Sequence, residues 1–299
     1  MSAFNRLLVS TLPLVPKAIV GRVASRYVAG ETLDEAVAVV RNLSSQGAMS
    51  TIDVLGEEVA EREKALAAVE EYVHVFDAID KHQLDSNVSI KLTLLGLKID
   101  EGFCRDNVDR IAQVASKYGN FVRIDMEDHT TTDATLRIYQ ELQPRYGNLG
   151  EVFQAYMRRT LSDIDNLPEK GASVRLCKGI YVEPRKVAWK GFDTVRANYI
   201  LALEKLLARG IYTGIATHDE YLACAASGLV DKYGLKRDQY EFQMLLGVDE
   251  ELRRILIASG HRLRVYVPYG RDWYPYSMRR LRENPEVARH VLRAMLSGR

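Results

Sequence analysis

The amino-acid sequence predicts an α/β fold, a single (β/α)8 barrel preceded by a helical arm, and three observations carry this. A chain of 299 residues with 47% hydrophobic content can bury one large core, and single barrels of roughly 250 residues routinely form one domain. From residue 49 onward, short apolar runs alternate with longer helical patterns, the signature of βαβ units and a parallel sheet. There are eight such runs, and none is followed by the GxGxxG turn that opens a Rossmann unit. A closed barrel is therefore favoured over an open doubly wound sheet. Residues 1–45 are expected to form the N-terminal helical arm and residues 46–299 the barrel.

Thr32 to Ser45 reads as a helix, Met49 to Leu55 as the first strand, and Glu57 to His82 as an acidic helix. Later strands fall near residues 88–93, 121–126, 151–155, 173–177, 212–217, 240–245 and 263–267. Side chains alternate faces along a strand, so each run divides into a helix-facing and a lumen-facing set. In the second, Val88, Ile90 and Leu92 oppose Ser89, Lys91 and Thr93; in the third, Val122, Ile124 and Met126 oppose Arg123, Asp125 and Glu127. The fifth opposes Val174 and Leu176 to Arg175 and Cys177, the seventh Phe242 and Met244 to Glu241, Gln243 and Leu245. With the apolar set packed on helices, the lumen receives Lys91, Asp125, Gln154, Arg175 and Tyr266. Unpaired charge there is costly, so these groups require one another or a ligand. Barrel enzymes place their chemistry at the C-terminal strand ends, where several of these residues fall.

The 41 basic and 40 acidic side chains nearly cancel, and no long block of one sign appears that would track a phosphate backbone. Cys104, Cys177 and Cys224 have neither CxxC spacing nor the density of a disulfide scaffold, which fits a reducing, cytoplasmic setting. No apolar run reaches the roughly 18 residues that span a bilayer, because Lys17, Arg22 and Arg26 interrupt the N-terminal stretch. That stretch is basic and apolar, and suits packing on the barrel or a peripheral contact with the inner face of the membrane.

Near the C-terminus, Pro275 suits a helix start, and Tyr276, Arg279, Arg280 and Glu283 then fall at i, i+3, i+4 and i+7, on one face. Two guanidinium forks beside a carboxylate match a zwitterionic amino acid, forks for its carboxylate and an anion for its ammonium. The same stripe would also serve as a solvated helix with its own ion pairs.

The segments Val174–Tyr181 (VRLCKGIY), Ala216–Asp219 (ATHD) and Tyr240–Gly247 (YEFQMLLG), with Ser89–Thr93 (SIKLT) and Arg123–Glu127 (RIDME), resemble signature segments of proline dehydrogenases, over about Tyr27 to Leu292. The resemblance implies a distorted TIM barrel with the final helix over its mouth, binding FAD non-covalently. It implies oxidation of L-proline to 1-pyrroline-5-carboxylate by hydride transfer to flavin N5, with electrons passed to a quinone and product handed to a pyrroline-5-carboxylate dehydrogenase. By the same resemblance Asp125 and Arg175 are catalytic. Lys91, Leu245, Tyr266, Tyr276, Arg279, Arg280 and Glu283 bind substrate. Met126, Gln154, Arg175, Lys178, Gly179, Ile180, Thr217 and His218 bind the flavin. Cys177 and Ile180 depart from the family's Val and Ala, and Trp189 to Ala197 matches its cofactor-binding helix region poorly.

Two other classes fit some of the same residues. Asp125, Glu127, Asp128, His129, His218 and Asp219 have the donor atoms for a metal-dependent lyase or hydrolase. An amino-acid-binding barrel would keep the arginine helix without a cofactor.

Overall fold

Eight parallel strands pair in sequence order, and β8 returns to β1 to close the barrel. The computed structural model describes Gly21, residues 24–168 and residues 171–283, with side chains of the last helix as far as Met278. The strands are β1 (Met49–Val54), β2 (Ser86–Lys91), β3 (Val122–Asp125), β4 (Leu149–Gln154), β5 (Ser173–Cys177), β6 (Tyr212–Ala216), β7 (Tyr240–Leu245) and β8 (Leu263–Tyr269). Helix α1 (Leu33–Ser45) precedes them. Between successive strands lie α2 (Arg62–Lys81), α3 (Glu101–Lys117), α4 (Thr132–Tyr146), α5 (Thr160–Asp165), α6 (Phe192–Ala208), α7 (Glu220–Lys232) and α8 (Glu250–Ala258), and α9 (Trp273–Glu283) follows β8.

The elements begin where their chemistry allows. Thr32 caps α1 through a capping box: its hydroxyl accepts from the Glu35 N–H while the Glu35 carboxylate accepts from the Thr32 N–H, satisfying donors a helix start leaves open. Helix α2 starts at Arg62 rather than at Glu57. Ahead of it Glu58 adopts φ 58° and its N–H donates to the Thr93 hydroxyl at 3.0 Å, so a tertiary hydrogen bond overrides the helical propensity of this acidic run.

The register settles the two faces. Ile52 lies beside Val88, Val88 beside Val122, and Ile215 beside Phe242, an apolar layer under the helices. On the other face Lys91 lies beside Asp125, Gly214 beside Glu241, and Gln243 beside Arg264. Helix α1 packs against β1 and β8, the outer slot that the helix after β8 fills in a regular barrel. The last helix is thereby released to the mouth, where Tyr276 and Trp273 join Val28 and Leu55 in a small apolar cluster. The end of the N-terminal arm thus has a packing role, with Ala24 and Val28 buried.

A carboxyl group also lies on the helix side. Glu151 pairs with Val174 in register and is wholly buried. One carboxyl oxygen accepts from the Val152 N–H at 2.9 Å, and the other has no partner among the described residues. Burial pushes its pKa up to about 8. No described helix is long and apolar enough to cross a membrane.

Candidate active site

A cavity of about 890 Å3 opens at the C-terminal ends of the strands, the usual position of chemistry in this architecture. It is lined by Lys91, Asp125, Met126, Gln154, Arg175, Lys178, Gly179, Ile180, Thr217, His218, Leu245, Tyr266 and Tyr276, thirteen of the residues singled out from the sequence. The expectations for Arg279, Arg280 and Glu283 fall on side chains outside the described residues, on a helix whose backbone runs to Glu283.

Alternation along β1, β2, β3, β5 and β8 brings one network into the lumen. The Lys91 ammonium donates to Asp53 Oδ1 at 2.5 Å and to the Tyr266 hydroxyl at 3.2 Å, and lies 4.0 Å from Asp125. Tyr266 in turn donates to Asp125 Oδ2 at 2.8 Å. The other Asp125 oxygen accepts from Ser89 at 2.7 Å and from Arg175 Nη1 at 2.6 Å. Asp125 thus accepts three hydrogen bonds and orients Arg175 and Tyr266. Burial opposes the Lys91 ammonium, but Asp53 and Asp125 outweigh it and raise the amine pKa. Asp53 is pulled upward by its own burial and by the Asp125 charge; the 2.5 Å contact decides, and the two form an ion pair.

Beside this network a cationic rim crowns β5 and β6. Asp219 accepts from Arg196 through two bonds of 2.8 and 2.7 Å and from Lys178 at 3.1 Å. Arg196 leads the causes that hold its carboxyl down at about 2. Two cations thus share one carboxylate at the rim. Gly179, between them, adopts φ +105°, and a Cβ there would lie 2.2 Å from the Tyr156 ring. Only glycine meets both demands. His218 Nε2 accepts from the Leu245 N–H at 2.8 Å, which puts the proton of the neutral ring on Nδ1.

The six candidate metal ligands are dispersed among separate partners. Glu127 caps Thr93, Asp128 binds Thr130, and His129 pairs with Glu183. No group of three such residues among those described could hold a metal ion.

Several residues at the site carry no signal in the sequence reading. Alternation along β1 turns Thr51 and Asp53 inward, Thr51 into the cavity lining and Asp53 against Lys91. Gln243 and Arg264 also line the cavity, with Glu241 bonded to both. Phe192 and Arg196 also line the cavity, from within the stretch Trp189–Ala197 that departs from the family pattern. Cys177 is a lumen residue whose thiol is pushed up to about 11 by burial, and Ile180 is 41% exposed at the rim.

The family model described as proline dehydrogenase matches residues 36–293. The chain belongs to the proline dehydrogenase family. Among curated members of this family, "Proline dehydrogenase 2" of Bacillus subtilis is 38% identical over 272 residues, covering 91% of this chain and 90% of the relative. "Proline dehydrogenase" of Deinococcus radiodurans is 37% identical over 280 residues, covering 92% and 90%. Among solved structures, proline utilization A (PutA) from Bdellovibrio bacteriovorus, inactivated by N-propargylglycine, superposes with a TM-score of 0.82 at 26% identity. That match covers 88% of this chain and 32% of the PutA chain, so this family member spans about a third of that protein's length.

Proposed function

We propose that the chain oxidises L-proline to 1-pyrroline-5-carboxylate as an FAD-dependent dehydrogenase, with electrons passed on to a quinone and product to a pyrroline-5-carboxylate dehydrogenase. The observation that carries this is a charged lumen converging on a large cavity in a member of the proline dehydrogenase family.

The residues present fit a flavin dinucleotide. The cavity is within the size range of cofactor sites, Lys178 and Arg196 place two cations at its rim that can meet a pyrophosphate, and the Gly179 backbone is bare where a Cβ would collide with Tyr156. On this reading Met126, Gln154, Arg175, Lys178, Gly179, Ile180, Thr217 and His218 hold the group. When bound, FAD supplies at N5 the acceptor for the hydride leaving the proline carbon next to nitrogen.

The protein's part is orientation and electrostatics. Gln154 is fixed by donating its amide to the Glu127 carbonyl at 2.9 Å. Asp125 and Gln243 hold Arg175, whose Nη2 has no partner among the described residues and is left to meet developing negative charge. Leu245, Tyr266 and Tyr276 bound an apolar pocket for the ring, while Lys91 keeps Tyr266 and Asp125 in place from below. Arg279, Arg280 and Glu283 engage the substrate's carboxylate and ammonium.

The deciding experiment is anaerobic addition of proline to purified protein: flavin absorbance should be present and should bleach. A colourless protein, or flavin that proline does not bleach, overturns the reading. Arg175→Met deletes the charge while keeping the stem. It should lower the flavin potential and slow single-turnover reduction roughly tenfold to a hundredfold, and unchanged values in a flavin-loaded variant would remove Arg175 from the chemistry. Replacing Arg279 or Arg280 by Lys loses a bidentate fork. Steady-state kinetics should show kcat/KM falling by on the order of 2 kcal/mol, and wild-type values in both variants would detach that helix from substrate.

A further inference from the structure

Three of the barrel's lumen residues outside the proposed substrate and flavin sets form a chain that ends on Arg175. Arg175 Nε donates to Gln243 Oε1 at 2.5 Å, Gln243 Nε2 donates to Glu241 Oε1 at 2.6 Å, and Arg264 Nε donates to the same Glu241 oxygen at 2.7 Å. Glu241 is almost wholly buried, and its second oxygen accepts from the Tyr212 hydroxyl at 2.8 Å. Burial alone would neutralise this carboxyl, but Arg264 and the hydrogen bonds hold it charged.

A carboxylate only accepts hydrogen bonds, so Gln243 must turn its NH2 toward Glu241 and its carbonyl oxygen toward Arg175. The flipped amide would set oxygen against carboxylate and NH2 against guanidinium. Its place is reserved by a second feature: Gly214 on β6 lies against the amide, and a Cβ there would stand 2.4 Å from Gln243 Nε2 and 2.7 Å from its amide carbon. With Nε held by Gln243 and Nη1 by Asp125 and Ser89, two of the three guanidinium nitrogens are fixed. The plane of the group is then determined.

We infer that Gln243 is a positioning residue for Arg175, its amide locked by Glu241 and given room by Gly214, so that Arg175 presents Nη2 to the cavity in one orientation. The functional consequence rests on the reading of Arg175 given above. A small misorientation of a catalytic group can cost up to about a hundredfold in rate, so the effect should fall on chemistry and leave proline affinity near its original value.

Two variants reach the same contact by different routes. Gln243→Met removes both hydrogen bonds at similar length, and Gly214→Ala keeps every polar group but displaces the amide. The first measurement does not need flavin: in protein labelled with 15N-arginine, the Arg175 Nε–H resonance, assigned by its loss in Arg175→Met, should exchange slowly in the original protein and at least about tenfold faster in both variants, as expected when a buried hydrogen bond is opened. The second is anaerobic flavin reduction by proline, which should slow about tenfold or more in each variant while proline affinity changes less than about threefold. Adding Gln243→Met to Arg175→Met should slow reduction no further, because the amide acts only through the guanidinium. A protected Nε–H in Gln243→Met, an unchanged reduction rate in both variants, or a further slowing in the double variant overturns the inference. Loss of protection in a protein that proline does not bleach upholds the positioning and overturns the functional reading instead.

Discussion

Lys91→Met is expected to lower the free energy of unfolding by about 3–5 kcal/mol, the usual result of breaking a buried ion pair from one side. Asp53 is fully buried; its Oδ1 is held by Lys91 at 2.5 Å and its Oδ2 has no hydrogen-bond partner among the described residues. Without the ammonium, that carboxylate must either stay charged in a low-dielectric wall or take up a proton, and both are unfavourable near neutral pH. Asp53→Asn added to Lys91→Met removes the stranded charge and should recover more than half of the loss. Urea denaturation at pH 7 measures both, and a single variant within about 1 kcal/mol of the original protein would show that Asp53 is not charged in the folded state.

Glu151→Gln should act in the opposite direction, stabilising the protein at alkaline pH. The folded carboxyl titrates near pH 8 against an ordinary value of 4.5, so between these the folded state keeps a proton that the unfolded chain releases. Stability is then fully present below about pH 4.5 and is lost as pH rises toward 8. Glu127, pushed up to about 7 by burial, contributes a slope of the same sign. The amide needs no proton, can accept from the Val152 N–H as the acid does, and should raise stability above pH 8 by on the order of 2–4 kcal/mol with little change at pH 4.5. Unfolding free energies that run parallel in the two proteins from pH 5 to 9 would contradict the assignment.

Most of the barrel was legible because its strands alternate so cleanly. Val88, Ile90, Val122 and Ile124 could face only the helices, which left Lys91 and Asp125 for the lumen, where they meet. The residues that escaped share a physical reason. Asp53 and Gln243 take their importance from a partner on another strand, Lys91 in one case and Arg175 in the other, and strand pairing, not local spacing, brings them together. Arg196 and Asp219 lie 23 residues apart on different elements, so no local spacing signals their bidentate contact. The start of α2 differs from the helical pattern for a related reason, since Glu58 bonds to Thr93 on the far side of a whole helix and strand.

The outer slot between β8 and β1 is filled by α1, from the opposite end of the chain. The wall of the barrel is therefore complete at Tyr269, before α9 is added. At its described end α9 is seated by the cluster of Val28, Leu55, Trp273 and Tyr276, separate from the large core beneath the other helices, and by the bond Trp273 Nε1 donates to Glu31. The helix belongs to no strand ladder, so among the described residues its seat and the closure of the wall draw on different contacts. Substitutions at that seat are therefore expected to leave the pairing of β8 with β1 intact.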